Sequence, residues 1–209
     1  MRKQQKFTED EALEYFAMLL LGLDFLHSKN IFHRDLKPGN IFINELSNGK
    51  KLLCIGDFGI SKYDLDTIKQ TQTTLGYNTT PLYKAPEVIN MKEPTSKVDM
   101  WAAGIIFYQL LASKHPFQKR EFIQTLLSIK DLEYDPLPEN ISPSTKKLVA
   151  LLLQKNPESR PDAKSFLQMD EMKVVVERLL QKICVTDRKM AAKLIDEHKI
   201  TWISPDLMK

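Results

Sequence analysis

Two cysteines, Cys54 and Cys184, are all that this chain of 209 residues contains. So few, so far apart, they cannot build a disulfide framework or a zinc cluster, and their scarcity points to a reducing, cytoplasmic setting. Blocks of one charge are lacking too: 30 basic side chains stand against 27 acidic ones, for a net charge of +3. That balance, with no Lys/Arg run longer than a few residues, leaves no footprint of a nucleic-acid or membrane partner. Long apolar runs are also missing. The stretch from Phe16 to Leu23 is too short to span a bilayer and lacks the flanks of a signal peptide, so it reads as a buried helix. No repeat or low-complexity tract interrupts the chain. What is there, 43% hydrophobic and 27% charged, suits one globular core with an appendage after about Met169.

Thr8-Glu9-Asp10-Glu11 has the form of a capping box, and Leu13, Phe16, Ala17, Leu20 and Leu23 follow at helical spacing. Together they predict a helix from about Glu9 to His27, ending at Asn30. Ile41-Phe42-Ile43 and Lys51-Leu52-Leu53-Cys54-Ile55 read as two short strands, with Asn48-Gly49 as the turn between them. From Ser61 to Thr80 the sequence is polar and without period, which predicts a long exposed loop. Ser96 is placed to cap a second helix, and Val98 to Leu111 is apolar almost all round, so that helix belongs mid-core. Prolines from Pro116 to Pro161 then punctuate shorter helices, one near Ser144 to Gln154. Met172, Val175, Val176, Leu179, Leu180 and Ile183 form an apolar stripe that reads as core packing rather than a partner-binding helix. Met190, Ala191, Leu194 and Ile195 form a shorter one, joined to it near Thr186.

The densest chemistry lies in Ile31-Phe32-His33-Arg34-Asp35-Leu36-Lys37-Pro38-Gly39-Asn40-Ile41-Phe42-Ile43, followed by Asp57-Phe58-Gly59 and Ala85-Pro86-Glu87. An Asp-Phe-Gly alone is common in turns and would say little. In this order, with Asp99-Met100-Trp101 and with Arg160 inside Asn156-Pro157-Glu158-Ser159-Arg160-Pro161, the set resembles the protein-kinase family over about Glu9 to Leu167.

The resemblance implies a mainly α fold: the C-terminal lobe of a protein kinase, a helical bundle with small β-hairpins. It implies ATP-dependent phosphorylation of serine or threonine in protein substrates, with ATP and Mg²⁺ as cofactors. Asp35 would orient the substrate hydroxyl and take its proton, and Lys37 would sit against the moving phosphate. Asn40 and Asp57 would hold magnesium, and Phe42 would pack beneath adenine. Lys37 and Thr80 match the serine/threonine subclass, where that threonine bonds the catalytic aspartate and lysine. Arg34 matches kinases controlled by activation-loop phosphorylation, with Thr73 and Thr74, and behind them Thr71 and Thr67, as acceptors for an activating kinase. Glu87 and Arg160 would form the family's buried salt bridge, and Asp99 would anchor the catalytic loop besides sitting in a helix's first turn. His33 is read as a packing histidine that with Phe58 ties the loop to the metal-binding turn.

Asn40-Ile41-Phe42-Ile43, Ile55-Gly56-Asp57-Phe58-Gly59 and Lys114-His115-Pro116-Phe117 are similar to NIMA-related kinases. Two places depart from that pattern: Thr79 stands where the family has glycine, and Lys84-Ala85 replaces Met/Leu-Ser.

No Gly-x-Gly-x-x-Gly and no Val-Ala-x-Lys occurs in the 209 residues. The β-rich N-terminal lobe is therefore expected to be absent, with residues 1–169 forming the C-terminal lobe and 170–209 a helical extension. Such a chain is expected to have negligible activity alone, as a piece of a working kinase. The alternative is a kinase-like pseudoenzyme that acts as a protein-binding or scaffold module.

Overall fold

Residues 7–45, 51–57, 81–185 and 187–203 are described in the computed structural model. The chain enters through α1 (Glu9–Ser28), whose start is the predicted capping box. Thr8 Oγ1 accepts from the Glu11 amide at 3.2 Å, and the Glu11 carboxylate accepts from the Thr8 amide at 2.8 Å. Two of the helix's otherwise unpaired N–H groups are thus satisfied, which typically stabilises by about 1 kcal/mol. At the other end Asn30 takes a left-handed φ of 56°, as a residue just past a helix commonly does.

An antiparallel hairpin follows, β1 (Ile41–Glu45) with β2 (Lys51–Ile55), in a register that sets Ile41 against Ile55 and Glu45 against Lys51. The Asn48-Gly49 turn falls outside the described residues. The hairpin lies close on α1 at Gly22, where a Cβ would come within 2.9 Å of Ile55 Cδ1. Only a residue without a side chain lets strand and helix approach so nearly.

Next come α2 (Pro86–Ile89) and α3 (Lys97–Ala112). The predicted all-round apolar character of α3 is realised: Met100, Trp101, Ala103, Ile105, Phe107 and Tyr108 are buried on every side. Ser96 does not cap it. Its backbone is already helical and its side chain makes no cap bond; the Thr95 hydroxyl accepts from the Lys97 amide at 3.3 Å instead. A side chain can reach back to the N2 or N3 amide only from an extended backbone, which Ser96 lacks. The body continues with α4 (Phe122–Asp131), α5 (Pro143–Leu152) and α6 (Ala163–Leu167), close to the helix expected near Ser144. It ends in α7 (Asp170–Cys184) and α8 (Arg188–Glu197).

One hydrophobic core runs through these helices. Phe16 of α1 stacks on Phe107 of α3 with ring centres 4.1 Å apart and meets Phe166 of α6 edge-on at 5.6 Å. The α7 stripe joins the same core, with Met172, Val176 and Leu180 fully buried, as a packing stripe should be. Its outer face is tied to α1 by charge: Arg178 to Asp10 at 3.0 Å and Lys182 to Glu14 at 2.5 Å. Further along, His198 Nδ1 lies 2.6 Å from Asp24. Among the described residues no helix is long and apolar enough to cross a membrane.

Glu87 and Arg160 form the predicted buried pair, a bidentate contact of 2.6 and 2.7 Å. The remaining guanidinium donors reach the carbonyls of Gln154 at 2.8 Å, Lys97 at 3.0 Å and Lys155 at 3.3 Å. Every N–H of a fully buried cation therefore has an acceptor, and its face lies 5.0 Å from the Trp101 ring. Arg160→Met should lower the unfolding free energy by roughly 3–5 kcal/mol, because Glu87 is left as a buried charge without its cation. In urea unfolding, the double variant Glu87→Leu/Arg160→Met should lose less than the sum of the two singles; simple additivity would show the two sites uncoupled.

Candidate active site

The loop from Ile31 to Asn40 holds the candidate residues, and the Asp99 carboxylate of α3 holds the loop. That carboxylate is buried and accepts from the His33 amide at 2.9 Å and the Arg34 amide at 2.7 Å. Its Oδ2 also lies 2.9 Å from His27 Nε2, at the end of α1. One side chain thus joins two helices to two successive backbone amides. Arg34 needs that hold, because its φ of 64° is a left-handed conformation that costs a non-glycine residue on the order of 1 kcal/mol or more. The guanidinium lies 5.6 Å from the Phe32 ring.

Past this kink the chain presents Asp35, Lys37 and Asn40 together. Lys37 Nζ donates to Asp35 Oδ2 at 2.5 Å. Asn40, buried, turns its Nδ2 toward Asp35, donating to the backbone oxygen at 2.9 Å and lying 3.4 Å from Oδ2. The amide nitrogen being committed, Asn40 Oδ1 is the atom left to meet a cation. A short turn, Pro38–Asn40, sets the spacing; proline opens it and the Asn40 amide closes it on the Lys37 carbonyl at 2.9 Å.

The hairpin brings the second half of the site. The Asn40 carbonyl accepts from the Gly56 amide at 2.9 Å, so the loop and the end of β2 are bonded side by side. His33 reinforces the join: its Nε2 faces the Gly56 carbonyl at 2.9 Å, while Nδ1 accepts from the Asp35 amide at 3.3 Å. His33 is therefore buried and bonded within the loop, as expected of a packing histidine. Asp57 follows, exposed, with a left-handed φ of 61°. Phe42 of β1 lies against Gly56, where a Cβ would fall 2.7 Å from its ring, and the residue is 52% exposed.

Asp35, Lys37, Asn40, Phe42 and Asp57 are thus gathered round one end of the hairpin, with Arg34 and Asp99 beneath. Glu87 and Arg160 stand apart as buried support. Thr80, Thr73, Thr74, Thr71, Thr67, Thr79 and Phe58 lie outside the described residues. Among the described residues no three His, Cys, Asp or Glu side chains cluster as a metal site. A magnesium ion would therefore depend on Asn40 and Asp57 together with oxygens that a nucleotide and water bring.

Three contributors escaped the sequence reading. His27 is the third group on Asp99, and only its place in the last turn of α1 could have signalled it. Lys84 reaches the catalytic loop, with Nζ 3.2 Å from the Arg34 carbonyl and 3.6 Å from Asp35 Oδ1. His115 faces the Leu82 carbonyl through Nε2 at 3.1 Å and accepts from the Phe117 amide at Nδ1, also at 3.1 Å. That histidine ties the segment before α2 to the loop after α3.

Fold and site together define a protein kinase catalytic lobe, and the chain belongs to the protein kinase domain family, which matches residues 1–171. It is similar to serine/threonine kinases, NIMA-related ones among them. It is 36% identical to the serine/threonine-protein kinase nekl-2 of Caenorhabditis elegans over 78% of this chain and 44% of the relative. With the serine/threonine-protein kinase Nek3 of Mus musculus the identity is 34%, over 99% of this chain and 39% of the relative. The serine/threonine-protein kinase PLK1 of Xenopus tropicalis is 38% identical over 79% of this chain and 26% of its own length. The chain thus spans less than half the length of each of these relatives.

Burial pushes the His115 pKa down from 6.5 to about 4. The unfolded chain binds this proton near pH 6.5 and the folded one resists it until about pH 4, so stability falls as pH drops through that window. The loss attributable to His115 should reach at most about 3 kcal/mol. Unfolding free energies measured at several pH values should show it, and His115→Gln should flatten the curve between those limits; an unchanged slope in the variant would contradict it.

Proposed function

We propose that this chain carries the catalytic lobe of a serine/threonine protein kinase and moves the γ-phosphoryl group of ATP to a protein hydroxyl. The observation that carries this is the Asp35, Lys37 and Asn40 cluster, bonded to itself and held from below by Asp99. In the step, the substrate oxygen forms a bond to the γ-phosphorus while the bond from that phosphorus to the bridging oxygen of ADP breaks. The hydroxyl proton passes to Asp35 and then to solvent. The transferred group is loosely bonded and anionic in the transition state, so positioning and charge compensation dominate. Lys37 supplies the compensation and Asp35 aims the oxygen. Asn40 Oδ1 and the Asp57 carboxylate are donors a magnesium ion accepts, and when bound it would neutralise the phosphates. The open face of Phe42 supports the lower side of adenine.

In the same reading Arg34 pairs with a phosphate that an activating kinase places on Thr73 or Thr74. The 209 residues contain no glycine-rich loop to cover the phosphates, so we take them to act within a longer kinase and to transfer little alone.

In its full natural length the protein should phosphorylate serine or threonine in a generic substrate with Mg-ATP. Asp35→Asn should lower that rate by roughly 10²–10⁴-fold. Titrated calorimetrically with Mg-ATP, the 209-residue chain alone should bind more weakly than millimolar. Tight binding and transfer by that chain would refute its dependence on a longer protein; transfer that survives Asp35→Asn would refute the assignment of Asp35.

A further inference from the structure

The carboxylate of Asp35 stands between two ammonium groups. Lys37 takes Oδ2 from within the same loop. Lys84 takes the other side, with Nζ 3.6 Å from Oδ1 and donating to the Arg34 carbonyl at 3.2 Å. It arrives from a different part of the chain, directly after the turn Pro81–Tyr83 and two residues before α2.

Its neighbours fix where it starts. Ala85 is buried, the Tyr83 hydroxyl donates to Gln109 Oε1 at 2.8 Å, and the Leu82 carbonyl meets His115. The Lys84 stem therefore leaves a pinned backbone, and its head, about a third exposed, crosses to the catalytic loop. At this place the NIMA-related pattern has Met or Leu, which fill the same stem volume without a charge.

On the kinase reading above, the two cations have different futures. Lys37 has to attend the moving phosphate, which draws it away from Asp35. Lys84 has no such task. We propose that Lys84 is a positioning residue for phosphoryl transfer, holding Asp35 Oδ1 and the Arg34 carbonyl while Lys37 serves the phosphate. A second cation beside a base also weakens its pull on a proton. In a loose transition state the hydroxyl proton leaves late, so base strength matters little and aim matters more. Orientation wins, and removing Lys84 slows transfer.

The contact contributes little to stability, since a solvent-accessible ion pair gains little over its hydrated ions. Its signature is therefore kinetic. In the full-length protein Lys84→Met should lower kcat roughly tenfold with KM for ATP and thermal midpoint unchanged, a loss typical of a misplaced reacting group. Lys84→Arg, which restores the cation, should recover most of that rate. Independently of activity, ¹⁵N NMR of lysine ammonium groups in this chain should show the Lys84 signal, and Asp35→Asn should shift it.

A Lys84→Met enzyme with wild-type kcat would overturn the proposal, as would a Lys84→Arg enzyme no faster than Lys84→Met. So would a Lys84 ammonium signal indifferent to Asp35→Asn. A full-length protein inert toward every substrate would overturn the kinase reading and the kinetic role with it, while the NMR result would still decide the contact.

Discussion

The Asp99 carboxylate carries the active-site loop. Buried at the start of α3, it accepts from two consecutive backbone amides and meets a histidine from α1. The kink at Arg34 is unfavourable by itself, and without an acceptor those two amides would be buried donors lacking partners. Both costs are offset by one anion whose position is set by the deeply packed helix α3. The direction in which Asp35 points is therefore inherited from the core.

Charge is arranged in a graded way around that anchor. Glu87 and Arg160 are sealed off with every guanidinium donor satisfied, so they behave as a fixed joint between α2 and the segment before α6. Asp99 is sealed but bonded to backbone, and serves as a bracket. Asp35, Lys37 and Lys84 are partly open to water and bonded mainly to one another, which leaves them able to exchange partners. Burial falls from the core to the Asp35 end of the loop.

Much of this was legible in the sequence, for reasons that differ by element. The capping box at Thr8 and the all-round apolar run of α3 are local patterns, readable because the residues that interact are neighbours in the chain. The loop and Asp57 were legible through a resemblance, which carries long-range knowledge that periodicity does not. Ser96 misled because its residue type fits a cap while its backbone does not. Lys84 and His115 were invisible in their roles: each acts on a carbonyl or carboxylate brought close only by folding, and a lysine or histidine in a loop has no local signature of such a partner. Thr80 and the threonines upstream lie outside the described residues, so their part rests on the resemblance alone.

The match to the protein kinase domain family ends at residue 171, and the hydrophobic core does not. Met172, Val176 and Leu180 are as deeply buried as Phe16 of α1 and Phe166 of α6. A shorter version of the protein trimmed to the family boundary would strip α7 from α1 and leave a continuous apolar strip facing water, with Asp10 and Glu14 deprived of their cations. It would be prone to associate through that strip whatever the state of its active site. Anyone isolating the catalytic lobe has to keep the helices behind it, because the unit that folds is longer than the unit that is recognised.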